Sequence, residues 1–177
     1  MNDQIAGSTP MTLNDLTISP EGLDLNSLLS EWEWTFPEHM HPVLITAMGD
    51  VFAQGKSGAV YFLETSVGST QKVAKNGDEF KELLKDTAFV TDHMYPGRVA
   101  ELREMGLVLA PGQCYSYKLP LFLGGQDVVE NVEICPIAIH VAFAGGLYRQ
   151  VKDLPPGTKI NKIVVKPPEE KKPWWKR

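Results

Sequence analysis

Residues Ala47–Lys85 read AMGDVFAQGKSGAVYFLETSVGSTQKVAKNGDEFKELLK, and this stretch decides the fold. Its apolar positions alternate in short runs, and glycine-bearing turns separate them, which is the pattern of a strand meander. The first strand is predicted over Val43–Ala53, beginning upstream of the quoted segment. Gly55-Lys56-Ser57-Gly58 supplies a hairpin turn, and Ala59–Glu64 returns as the second strand. There Val60 and Phe62 share one face and Tyr61 and Leu63 the other. With both faces apolar, this strand is expected inside a sheet that helices cover. Ser66–Ser69 turns the chain into a third strand, Gln71–Ala74. Asn76 or Asp78 then caps a helix over Asp78–Lys85, with Phe80, Leu83 and Leu84 inward and Lys81, Glu82 and Lys85 outward.

Outward from this centre, Asp24 can cap a helix carrying Leu25, Leu28, Leu29 and Trp32, which fall at i, i+3, i+4 and i+7. That helix must end before Pro37. On the other side, Arg98–Met105 reads as an amphipathic helix closed by Gly106. Gln113–Leu119 alternates as a further strand, and Pro120–Asn131 is a loop. Ile134–Leu154 carries both periods: Ile137, Ile139 and Val141 alternate, whereas Phe143, Leu147, Val151 and Leu154 have helical spacing. The preferred reading is a strand or turn near Cys135, then a helix interrupted at Gly145-Gly146. Ile160, Ile163, Val164 and Val165 suggest a last edge strand. The expected class is α+β, a central, mostly antiparallel sheet of a three-strand meander plus additional strands, flanked by helices. The expected organisation is one domain over residues 1–165, frayed over 1–18, followed by a basic Pro-rich tail, 166–177, that holds Trp174 and Trp175.

Composition bounds the function. With 43% hydrophobic and 22% charged residues in 177, the chain has the make-up of a globular domain. Met1 is followed by Asn2, Asp3 and Gln4 rather than a basic and apolar leader, and no apolar run is long enough to span a bilayer. A cytoplasmic protein without membrane contact is expected, with Cys114 and Cys135 as free thiols. The net charge is −5, but the tail carries five basic and two acidic residues, which leaves residues 1–165 at −8. An acidic body disfavours direct nucleic-acid binding and suits either solubility or a basic protein partner.

No motif carries chemistry. His39-Met40-His41 offers two imidazoles where zinc needs three or four ligands. Cys114 has neither an adjacent base nor a cationic neighbour in sequence; His140 is the one distant candidate, and a small core residue is the simpler reading. Gly124-Gly125 and Gly145-Gly146 do not make a phosphate loop. Asp50, Glu64, Asp78 and Asp92 are read as solvated surface. No cofactor, metal site or catalytic residue is expected.

Three blocks combine into a resemblance. They are Gly49-Asp50-Val51-Phe52 with Gly58–Leu63; Glu79-Phe80; and Pro111–Tyr115, Leu123-Gly124-Gly125, His140 and Gln150–Ile160. Together they resemble the C-terminal domain family of type VI secretion immunity proteins, the group that includes the antidote to a DNase effector. That group is similar to the wider SUKH class of bacterial immunity domains. The resemblance implies an α+β fold and a non-catalytic cytoplasmic protein that binds and blocks a cognate toxin, with nucleases among the candidate toxins. A basic toxin would meet an acidic surface, for which Glu31, Glu33 and Glu38, and Asp127, Glu130 and Glu133, are the candidate contacts. The alternatives are a general interaction or regulatory domain, and an unrecognised enzyme using Cys114, His140 or the 39–41 histidines.

Overall fold

A computed structural model describes residues 11–155, 158–159 and 162–164. Helices α1 (Leu13–Leu16) and α2 (Leu25–Leu28) and a 3₁₀ segment, Ser30–Thr35, lead into strands β1 (Met40–Ile45), β2 (Val51–Gly55), β3 (Val60–Glu64) and β4 (Ser69–Ala74). Helices α3 (Gly77–Leu83), α4 (Thr87–Met94) and α5 (Pro96–Glu104) follow. Then come β5 (Gln113–Tyr117), β6 (Val132–Pro136) and α6 (Ile137–Val151). The class is α+β, as expected.

The meander has four strands, not three. They pair antiparallel in the order β1-β2-β3-β4, and β5 and β6 form a separate two-stranded ribbon. The predicted strand 43–53 breaks at Thr46–Asp50, where Gly49 takes φ +85° and its N–H donates to the Thr46 carbonyl at 3.0 Å. Register then runs Ile45↔Val51 on one side of β2 and Val51↔Leu63 on the other. β1 lies at the sheet's edge, with Pro42 in it and a register shift between Pro42 and Leu44.

Strand alternation builds two apolar faces. Phe52, Val60 and Phe62 point to a core completed by Phe80, Met94, Val99 and Leu102 from α3, α4 and α5. Val51, Ala53 and Leu63 point the opposite way, to Leu28, Trp32, Ile137 and Val141. This is the doubly covered interior strand that the residues of β3 predict. Each large side chain so buried contributes about 1.5–3 kcal/mol.

Other expectations need correction. Residues 11–18 are not frayed: Leu16 and Ile18 are buried, and the Ile18 N–H donates to the Ile45 carbonyl at 2.9 Å. The helix over Leu25–Trp32 is α2 plus the 3₁₀ segment, so Trp32 reaches the core from a tighter turn. The predicted helix at 78–85 starts one residue earlier, capped by Asn76, whose side chain accepts from the Asp78 and Glu79 amides at 3.1 and 2.9 Å. Helix α4 was not foreseen. The segment after Pro136 is one continuous helix through Gly145-Gly146. Residues 162–164 are not strand; instead the Val164 N–H and carbonyl bond the Gln150 side chain, each at 3.0 Å. Ile160, Val165 and the tail 166–177 lie outside the described residues.

Candidate functional site

The ribbon and α6 are fastened to the four-stranded sheet by a buried polar chain. The Tyr115 N–H donates to the Ala47 carbonyl at 2.8 Å, seating β5 on the β1–β2 turn. From that turn Asp50 points inward, 3% exposed, where solvated surface was expected. Its Oδ1 accepts from the Thr65 N–H at 2.8 Å and from the Thr65 hydroxyl at 2.9 Å. Thr65 Oγ1 lies 2.9 Å from Nε2 of His140 on α6, and His140 Nδ1 lies 2.9 Å from Ser116 Oγ on β5. Because the Thr65 hydrogen is committed to Asp50, Nε2 must carry the imidazole proton, and Nδ1 accepts from Ser116. The order of donation is therefore Ser116 to His140 to Thr65 to Asp50.

Burial dominates the titration of the two ionisable members, Asp50 and His140. It pushes the Asp50 carboxyl from 3.8 up to about 7, against the two bonds from Thr65, and the His140 imidazole from 6.5 down to about 4. A buried hydrogen-bonded network of this kind rigidifies what it joins. Cys114 beside it is fully buried, and burial raises its thiol, so it is poor as a nucleophile. Asp50 and Thr65 were missed because a turn residue between Gly49 and Val51 reads as exposed until the fold closes over it.

Above Ser116 and His140 lies a cleft lined by Pro120, Phe122, Phe143, Leu147 and Tyr148 among others. Phe143 brings the exposed side of α6 to its rim. No charged side chain occurs from Ile137 to Tyr148, and Ile139 and Phe143, one turn apart, are 60% and 42% exposed. Gly145, on another side of α6, admits the 3₁₀ segment closely: the Trp32 indole N–H donates to the Val141 carbonyl at 2.8 Å. The Tyr148 ring packs between Trp32 and Phe122, with centroids 5.8 and 4.4 Å away.

The six predicted acidic contacts fall in separate places. Glu31 is ion-paired with Arg149 at 2.7 Å. Glu33 is exposed, 3.7 Å from His39. Glu38 folds over the β2–β3 turn onto the Ser57 amide and hydroxyl, which holds its carboxyl below the usual range. Asp127 accepts from the Tyr117 hydroxyl at 2.6 Å and pairs with Arg98 at 3.0 Å. The carboxylates of Glu130 and Glu133 are exposed and have no hydrogen-bond or ion-pair partner among the described residues. Glu133 stands opposite Ser116 in the ribbon, so its side chain leaves from the face that carries the Ser116–His140 bond. The His39 and His41 rings meet edge to face at 4.9 Å, and no group of three metal-binding side chains is found among the described residues.

Residues 74–148 match the family model described as T6SS immunity protein Tdi1, C-terminal, so the type VI secretion immunity resemblance is supported over that stretch. The matched segment runs from the end of β4 to Tyr148 and takes in both the ribbon and most of α6. The fold is similar to the crystal structure of Atu4351 from Agrobacterium tumefaciens, with a TM-score of 0.54 and 18% identity. That likeness covers 68% of this chain and 62% of the other, less than two thirds of its length. No curated protein matches the chain. No helix among the described residues is long and apolar enough to cross a membrane.

Proposed function

We propose that this protein is an immunity protein that binds a cognate toxin and neutralises it by occlusion, without catalysis. The observation that carries this reading is the family match at residues 74–148. The toxin is basic and of the nuclease kind, the encounter is cytoplasmic, and neither nucleic acid nor membrane is contacted directly; the wider SUKH kinship belongs to the same proposal. Support comes from the net charge of −8 over residues 1–165, which steers a basic partner inward. Among the six acidic candidates, Glu33, Glu130 and Glu133 are best placed to meet a partner's cations, since Glu31, Glu38 and Asp127 already serve internal contacts.

Affinity purification of the chain from its native host, with mass spectrometry, tests the reading. The expected result is one stoichiometric basic protein that arrests bacterial growth when expressed alone and ceases to do so when co-expressed with this chain. Growth arrest that co-expression does not relieve would sink it.

A further inference from the structure

The exposed side of α6 and the cleft beside it are an apolar surface left uncovered by the fold, on the side of the ribbon from which the unpaired Glu133 carboxylate leaves. Ile139 and Phe143 stand at i and i+4, with the exposed Ala138 and Ala142 between the same turns. Phe143 also forms one wall of the cleft, whose floor is the Ser116–His140 bond. A stripe of this kind fits the apolar side of an amphipathic element, while Phe143 and Tyr148 flank a slot for one inserted side chain. Glu133 leaves the ribbon on the same side as that floor, its carboxylate unpaired among the described residues, and residues 1–165 carry a net charge of −8. An uncompensated carboxylate beside an apolar stripe, on an acidic body, selects a partner whose apolar residues are rimmed by Lys or Arg. It disfavours a second copy of this chain, which would bring another carboxylate and another acidic body to the same place.

We propose that this face of α6, with the cleft and Glu133, is the surface that seats the toxin, through a basic amphipathic segment of it. The inference rests on the immunity reading and adds where the partner docks. Ile139 and Phe143 are the central apolar anchors, and the Glu133 carboxylate is the charged group at their rim. The buried chain through His140 holds the helix at a fixed height above the sheet, so the face is presented ready-made.

The test uses the full chain and the toxin identified by affinity purification. Phe143→Glu and Ile139→Glu are made singly, with Lys81→Glu on the exposed side of α3 as the control, and circular dichroism verifies folding. The expected result is at least about a thirtyfold weaker toxin affinity for Phe143→Glu, the scale of a central interface residue, and no change for the control. Glu133→Lys should slow association and weaken its salt dependence. Unchanged affinity in Phe143→Glu, with the wild type still neutralising the toxin, overturns this inference and leaves the immunity reading standing. Absence of any toxin partner overturns both. Two further results would reassign the face and overturn the proposal: a wild-type dimer that Phe143→Glu dissolves, pointing to a second copy, or a toxin affinity that rises when residues 165–177 are removed, pointing to the chain's own tail.

Discussion

Gly49 is glycine for two reasons that act at once. Its φ of +85° lies in the left-handed region, and a Cβ there would sit 2.6 Å from the His140 ring and 3.2 Å from the Cys114 sulfur. Gly49→Ala should therefore cost about 2–4 kcal/mol in urea denaturation, combining backbone strain with displacement of the imidazole; a loss under about 1 kcal/mol would show that His140 moves freely. Asp50 and His140 make opposite contributions to pH dependence. The Asp50 value is raised on folding, so its share of stability is complete below about 4 and is lost as pH climbs to about 7. The His140 value is lowered, so its share is complete above about 6.5 and is lost as pH falls to about 4. Between pH 4 and 6.5 the two slopes offset each other. Asp50→Asn should expose the histidine slope, with stability rising with pH, and His140→Gln the reverse; denaturation midpoints from pH 4 to 7 would check both. Equal slopes in the two variants would refute the assignment. The sequence could propose His140 only as a distant partner for Cys114, because what selects its real neighbours is the closure of three elements around it.

Among the elements, α6 separates most clearly what the chain's pattern reveals from what it conceals. Gly145-Gly146 reads as a break because glycine weakens helices, yet the helix runs through it. Packing explains the residue: a Cβ on Gly145 would lie 2.7 Å from Glu31 Cβ and 2.8 Å from the Trp32 indole nitrogen. Gly145→Ala thus sets two effects against each other. Helix propensity favours alanine by about 1 kcal/mol, while pushing the 3₁₀ segment away costs core contacts and the bond from Trp32 to Val141. Contact should win, giving a net loss of about 1–3 kcal/mol by thermal denaturation; a stabilised variant would show that the segment yields without strain. Element types in the meander were legible because alternation and turn glycines agree. The break at Thr46–Asp50 was not, since an apolar run through Gly49 mimics one strand, although eleven residues is long for one. The short α1 carries too few residues for a periodic signal; the Thr12–Asp15 capping box and the Arg103–Asp15 ion pair hold it.

For the molecule as a whole, the charge was legible and the exposed face of α6 was not. Counting residues gives the −8 of positions 1–165, but cannot tell which carboxylates are already engaged. Arg149, Ser57 and Arg98 occupy three of the six acidic candidates. The apolar face of α6 is equally hidden, because Ile139 and Phe143 look no different from Ile137 and Val141 until the sheet takes one side of the helix. If the acidic body steers a basic toxin, the association rate should fall about tenfold or more between 20 mM and 300 mM salt while dissociation changes little, as measured by stopped-flow mixing. A salt-independent rate would separate the charge from recognition.

The edge strand β1 bears on dosage in the cell. On the immunity reading the protein also exists without its partner, and an open sheet edge at high concentration is a template for aggregation. Pro42 removes one backbone donor from that edge, the irregularity before Leu44 bends it, and Thr17 bridges to Thr46 at its far end. On the opposite edge, β4 presents the exposed Gln71 and Lys72. The sheet is thereby poorly suited to recruit another strand, so copies of the chain waiting without a partner have little edge to offer one another.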